Sequence, residues 1–113
     1  LEIKSEYHSA WYNRGIALAD LGRHKEAITS FDKALEIKPD HYATLYNCGT
    51  ALSVLGQFEE AITSFDKALE IKPDQYAAWR NRGAALGKLE RYEEAIISFD
   101  KALEVKPDYY AAW

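Results

Sequence analysis

Methionine is missing from this chain altogether, even at position 1, and cysteine occurs once, as Cys48. Without a first methionine the natural start is expected to lie upstream, and a targeting signal could have been lost with it. A lone cysteine excludes an internal disulfide, which fits a reducing, cytoplasmic setting. Nothing approaches eighteen consecutive apolar residues, so no membrane-spanning segment is expected. A basic surplus is also lacking: the formal net charge is -4, which argues against a general nucleic-acid binder. The three prolines and six glycines are few but regularly placed, and they lead to the chain's organisation.

Glu26–Asp40 (EAITSFDKALEIKPD) recurs residue for residue as Glu60–Asp74, an offset of 34. It returns after a further 34 residues at Glu94–Asp108, with Ile97 replacing threonine and Val105 replacing isoleucine. A fixed period of this size marks a repeat architecture. With Trp11 as the fourth residue of a unit, repeat 1 is 8–41, repeat 2 is 42–75 and repeat 3 is 76–109. Residues 1–7 (LEIKSEY) align with the end of a preceding unit (LEIKPDH), with Ser5 in place of proline. Residues 110–113 (YAAW) match the opening of a following unit, Tyr76–Trp79. The chain is therefore expected to begin inside one repeat and stop inside another.

Each unit reads as two helices. Pro39, Pro73 and Pro107 cannot continue a helix, and the aspartate after each is a candidate N-cap for the next. Tyr42, Leu45, Gly49 and Leu52 follow the three-and-four spacing of one helical face. Gly22 and Gly56 suit a left-handed turn at the end of that helix, where repeat 3 has Glu90. The second helix is expected from about Glu26 to Ile37, with Ala27, Phe31 and Ala34 on one face. Gly15, Gly49 and Gly83 fall mid-helix, where glycine is unfavourable by about 1 kcal/mol. They point to a close approach, with Ala27, Ala61 and Ala95 as the expected partners and the phenylalanines beyond. No hairpin of this size buries its apolar face alone, so the units must stack, which makes the fold all-α, an α-solenoid of antiparallel helix pairs.

The pattern of tryptophan, leucine–glycine, alanine, phenylalanine and proline resembles the tetratricopeptide repeat (TPR) over the whole chain. Trp11, Gly15, Ala27, Phe31 and Pro39 carry it in repeat 1. Leu45, Gly49, Ala61, Phe65 and Pro73 carry it in repeat 2, and Trp79, Gly83, Ala95, Phe99 and Pro107 in repeat 3. Two departures recur. Leu18, Leu52 and Leu86 stand where the family has tyrosine, and Arg14, Cys48 and Arg82 where it has leucine before the glycine. The arginine stems are expected to pack while the guanidinium reaches carbonyls ending the preceding helix.

The resemblance implies a right-handed superhelix, no chemistry of its own, and a concave groove, lined by first helices, that binds a protein or peptide. The groove positions it picks out include Asn13, Asn47 and Asn81, one amide per repeat. Each offers a donor and an acceptor to an extended peptide backbone; the alternative is that these asparagines hold the groove itself. Tyr12, Tyr46 and Arg80 are the neighbouring positions, with packing between first helices as the tyrosines' other reading. Ile16, Thr50 and Ala84 come next, then Asp20, Val54 and Lys88. Arg80 and Lys88 make the groove basic towards repeat 3, which implies a ligand of acidic character there. The chaperone-binding carboxylate clamp of some TPR domains is not matched, since Tyr12, Ile16 and Ala77 occupy its positions and only Asn47 agrees.

No catalytic, metal or cofactor site is expected. His8, His24 and His41 fall at different repeat positions, and His24 replaces the aromatic seen at Phe58 and Tyr92. The repeated Glu26, Asp32 and Glu36 read as solvated outer surface, and Cys48 as a small buried residue. Two rival roles remain beside peptide binding. One is a structural spacer that self-associates head to tail through apolar ends, Leu1 and Ile3 at one, Tyr110 and Trp113 at the other. The second is an accessory domain of a larger enzyme.

Overall fold

The structure is a computed structural model and describes residues 2–105, excepting the side chains of 2, 3 and 5. Leu1, Tyr110 and Trp113, the Ile3 side chain, and Pro107 with the aspartate after it lie outside the described residues. Six helices follow one another: α1 Glu2–Asp20, α2 His24–Ile37, α3 Tyr42–Val54, α4 Phe58–Ile71, α5 Tyr76–Lys88 and α6 Tyr92–Val105. No strand occurs among the described residues. Contacts concentrate within the hairpins α1–α2, α3–α4 and α5–α6, then between α2 and α3 and between α4 and α5. The first helices α1, α3 and α5 touch only along a narrow line. Repeated pairs stacked in sequence give an α-solenoid 43 × 26 × 25 Å in extent.

One turn closes every hairpin. Gly22 and Gly56 adopt φ of 80° and 79°, and Glu90 adopts 62° in the same register. The next amide then bonds a carbonyl of the finished helix, Arg23 N–H to Leu18 O at 2.9 Å, Gln57 to Leu52 at 2.9 Å and Arg91 to Leu86 at 3.0 Å. This is the left-handed helix stop that sequence suggested. Repeat 3 retains it despite its side chain, at a cost of about 1 kcal/mol.

Three local expectations need correction. The mid-helix glycines make room for phenylalanine, not alanine: a Cβ on Gly15 would lie 2.5 Å from the Phe31 ring. On Gly49 and Gly83 it would lie 2.8 Å from Phe65 and Phe99. The alanines are buried in the same core, Ala27 and Ala61 completely. The N-caps fall one residue later than the aspartates. His41 caps α3, its Nδ1 accepting from the Thr44 N–H at 3.3 Å, while Gln75 begins α5 without a side-chain cap bond. Asp40 and Asp74 belong to the turn that proline starts. The second helices begin two residues before Glu26 and Glu60, at His24 and Phe58. Residues 2–7, which match the end of a unit in sequence, continue straight into α1. Serine keeps the backbone N–H that proline lacks, so Ser5 leaves the helix unbroken.

The core lies between the two layers. Phe31 and Phe65 are wholly buried among Leu18, Ala27, Cys48, Leu52 and Ala61. A second cluster of Ile62, Ala85, Leu86 and Ala95 joins repeats 2 and 3. This packing fixes the rotation of α1, α3 and α5 and so decides which side chains they present on their other face.

Candidate functional site

A groove opens where consecutive first helices diverge over the second helix between them. Between α3, α4 and α5 it measures about 680 Å3, lined by Tyr46, Thr50, Val54 and Phe58 on one side. Arg80, Asn81, Ala84 and Lys88 line the other. One repeat earlier the equivalent cleft measures about 240 Å3 and is lined by Ile16, Asp20, His24, Asn47 and Thr50 among others. Thr50 belongs to both, so the clefts form successive stations of one surface. Seven of the nine sequence-derived site residues line them: Ile16, Tyr46, Asn47, Thr50, Arg80, Asn81 and Lys88. Tyr12 adjoins the first cleft through Asn47, and Asn13 is exposed on α1.

The asparagines stand in register and make a bond the sequence reading did not assign. Asn81 Nδ2 donates to the Tyr46 hydroxyl at 2.9 Å. Asn47 Nδ2 donates to the Tyr12 hydroxyl at 3.2 Å and to the Ala43 carbonyl at 2.9 Å. Each amide therefore turns a donor back to the tyrosine 35 residues earlier and ties neighbouring repeats together. Tyr12 packs on Phe31 and His41, with centroids 6.1 and 5.4 Å away. Tyr46 packs on Tyr42 and Phe65, at 6.0 and 5.9 Å. The tyrosine rings thus pack within their own units, their hydroxyls accept from the next unit's asparagine, and Tyr46 also forms the groove wall.

Charge is distributed unevenly along this surface. The thirteenth positions run from Asp20 through Val54 to Lys88, acidic to apolar to basic. Arg80 and Lys88 are exposed and have no hydrogen-bond or ion-pair partner among the described residues. The other arginines are engaged. Arg23 and Arg91 pair with Glu26 and Glu94 in the next turn, which raises the guanidinium pKa and lowers the carboxyl pKa. Arg82 Nε bonds Asp66 Oδ1 at 2.5 Å, and Arg14 Nη1 bonds Ser30 Oγ at 2.5 Å. The expected bond of these two arginines to helix-end carbonyls is not made. A carboxylate or hydroxyl on the adjacent second helix stands within the guanidinium's reach and satisfies it there.

Sequence reading placed Val54 at a groove position without giving it a contact, and it missed Phe58, which enters the cleft from α4. The signal at Val54 was an apolar residue at a position that is charged in both sister repeats, Asp20 and Lys88; at Phe58 it was a ring, matched by His24 and Tyr92. Cys48 occupies the site of Arg14 and Arg82 but is buried, and burial pushes its thiol up to about 11, far from a reactive thiolate. His24 borders the smaller cleft, with a buried Nδ1 that finds no partner among the described residues. No group of three or more potential metal ligands occurs among the described residues. No described helix is long and apolar enough to cross a membrane.

Comparison with known proteins agrees with this architecture. Tetratricopeptide repeat models match residues 6–74 and 76–109. No match is found among curated protein sequences. Among solved structures, MamA from Desulfovibrio magneticus RS-1 is 31% identical with a TM-score of 0.86 over 89% of this chain. YrrB, described as a TPR protein with an unusual peptide-binding site, is 26% identical with a TM-score of 0.86 over 91% of this chain. The chain spans little more than half of each, 57% of the MamA chain and 53% of the YrrB chain. The first TPR of Spaghetti (RPAP3), solved with the HSP90 peptide SRMEEVD, superimposes with a TM-score of 0.88 at 24% identity, covering 94% of this chain and 84% of that one; this likeness speaks to the fold alone. With its helix pairs, glycine stops and repeat period all in place, the chain belongs to the tetratricopeptide repeat family.

Proposed function

We propose that this chain is a protein-interaction module whose groove of first helices receives an extended peptide or partner segment. The observation that carries the reading is the repetition of one cleft at the repeat period, with an asparagine amide in register at both stations and the Thr50 hydroxyl and apolar side chains beside it. Such a surface offers an extended chain hydrogen bonds without catalytic groups, each contributing about 0.5–1.5 kcal/mol net. Side-chain contacts must then supply most of the affinity and the selectivity. Acidic character is favoured near repeat 3, because Arg80 and Lys88 stand unpaired on the groove. That YrrB, of the same fold, is described as having a peptide-binding site supports the role.

A selection of peptides from a random library against this chain tests the proposal. Peptides so obtained should lose binding to an Ala84→Trp or Thr50→Trp variant, which fills the groove while helicity is unchanged. Undiminished binding to both variants contradicts groove occupancy.

A second reading is a self-stacking structural segment. It is favoured by the outer face of α6, where Tyr92, Ile96 and Leu103 are exposed. Sedimentation over a range of concentrations separates it from the first, since stacking predicts a mass that grows with concentration.

A further inference from the structure

The cleft between α3 and α5 is chemically more specific than a generic peptide groove. Arg80, Ala84 and Lys88 lie four residues apart on α5, so one stripe presents cation, methyl, cation to the cleft. At 1.5 Å per residue, the Arg80 and Lys88 positions are about 12 Å apart along the helix. The facing stripe on α3 is Tyr46, Thr50 and Val54, and Phe58 contributes from α4. Val54 is 59% exposed, an apolar side chain left open to water in a cleft that could cover it. No carboxylate lines this cleft, although the chain is net acidic. The smaller cleft has Asp20, and the cleft on the other side of the solenoid, beside Cys48, has Asp32 and Glu60. The two cations here are thus left without the neutralising partners found elsewhere.

Resting on the peptide-groove reading, we infer that this cleft selects an extended acidic segment in which an apolar residue sits between two carboxylates, in the pattern Glu-x-Leu-x-Glu. In an extended chain, residues i, i+2 and i+4 share one face, and i to i+4 spans about 13 Å. That spacing matches the two cations, and it sets the middle side chain over Ala84, Thr50 and Val54. Arg80 takes one carboxylate and Lys88 the other. The apolar floor excludes water and strengthens both contacts. The smaller first cleft rejects the same segment, because Asp20 stands there at the place of Val54, and the places of Arg80 and Lys88 fall to the uncharged Tyr46 and Val54.

The probe is a capped peptide, Gly-Glu-Ser-Leu-Ser-Glu-Gly, titrated against the whole chain by calorimetry. A scrambled peptide with its glutamates adjacent and a peptide with glutamine for both glutamates are the controls. Arg80→Tyr and Lys88→Asp introduce residues that repeats 1 and 2, or repeat 1, already carry in the same register, so the fold is kept. Each variant should weaken the probe at least several-fold, both together more than tenfold, and Val54→Asp likewise. The probe should exceed both controls by tenfold or more, with an advantage that shrinks as salt is added. Equal binding of probe and controls, indifference to Arg80→Tyr and Lys88→Asp, or no binding of the probe at millimolar concentration overturns the inference. If library-selected peptides without acidic residues are blocked by Ala84→Trp, the groove reading survives and only this pattern fails. If selected peptides ignore Ala84→Trp, the groove reading itself fails.

Discussion

Helices α4 and α6 differ at three positions, Phe58/Tyr92, Thr63/Ile97 and Ile71/Val105, yet their burial is very different. Phe65 is 0% exposed and Phe99 is 37% exposed; Ile62 is 7% and Ile96 58%; Leu69 is 6% and Leu103 44%. Both helices have an equivalent first helix as hairpin partner. The difference is α5, which covers α4 from the next repeat, whereas no described element covers α6 in that way. Burial in this fold is therefore completed across the junction between repeats, and the hairpin alone leaves more than a third of its aromatic exposed. A solenoid behaves as a sum of units and nearest-neighbour interfaces for this reason.

The sharpest way to break the comparison is to delete the same ring from both places. Phe65→Ala should cost about 3–5 kcal/mol, as for a fully buried aromatic. Phe99→Ala should cost clearly less, because much of its ring already meets water. Urea unfolding of the two variants measures the gap, and equal losses would mean the hairpin, not the junction, holds the ring.

A smaller contrast comes from adding a methyl group. At Gly49 a Cβ meets a Phe65 ring that is enclosed on all sides, so Gly49→Ala should destabilise by about 1–3 kcal/mol through overpacking. At Gly83 the contact distance is the same, but Phe99 has room to move outward. The helix preference for alanine, about 1 kcal/mol, should then leave Gly83→Ala near neutral in thermal melts.

The turn offers a test in the opposite direction. Glu90→Gly should stabilise repeat 3 by about 1 kcal/mol, because the residue keeps the positive φ that Gly22 and Gly56 adopt freely. No gain in the urea midpoint would show that Glu90 makes a compensating contact.

The first junction adds a pH effect that the second lacks. His41 caps α3 through Nδ1, which lies 2.8 Å from Thr44 Oγ1, so the ring must be neutral to accept there. Burial lowers its pKa below the usual 6.5, helped by His8, Lys38 and Lys72 and opposed by Asp40. The unfolded chain therefore binds the proton more readily than the folded one, and stability falls as pH drops below about 6.5. His41→Gln, the residue that Gln75 supplies at the second junction, should reduce this loss in melts taken between neutral and mildly acidic pH. An unchanged pH profile would contradict the assignment.

Much of this architecture is written locally and could be read from sequence. Gly22 and Gly56 state a left-handed turn, the prolines state breaks, and the period places Asn47 and Asn81 in register. What could not be read is where partners come from outside the local segment. Gly49 yields to a phenylalanine on the paired helix, Arg82 finds Asp66 across a junction, and Asn81 gives its donor to Tyr46. Those outcomes depend on the rotation of one helix against another, which side-chain volume decides and periodicity does not. The positions lining the cleft were legible but its shape was not, because Val54 gains meaning only when Phe58 is seen beside it and Ala84 opposite.

The central claim is that ligand enters between first helices and not on the uncovered face of α6. Amide chemical shifts of the labelled chain, followed while a library-selected peptide is added, test this most directly. The account predicts that the largest changes fall on Thr50, Val54, Asn81 and Ala84, with Ile96, Phe99 and Leu103 little affected. Changes concentrated on those three α6 residues, with a silent groove, would contradict it.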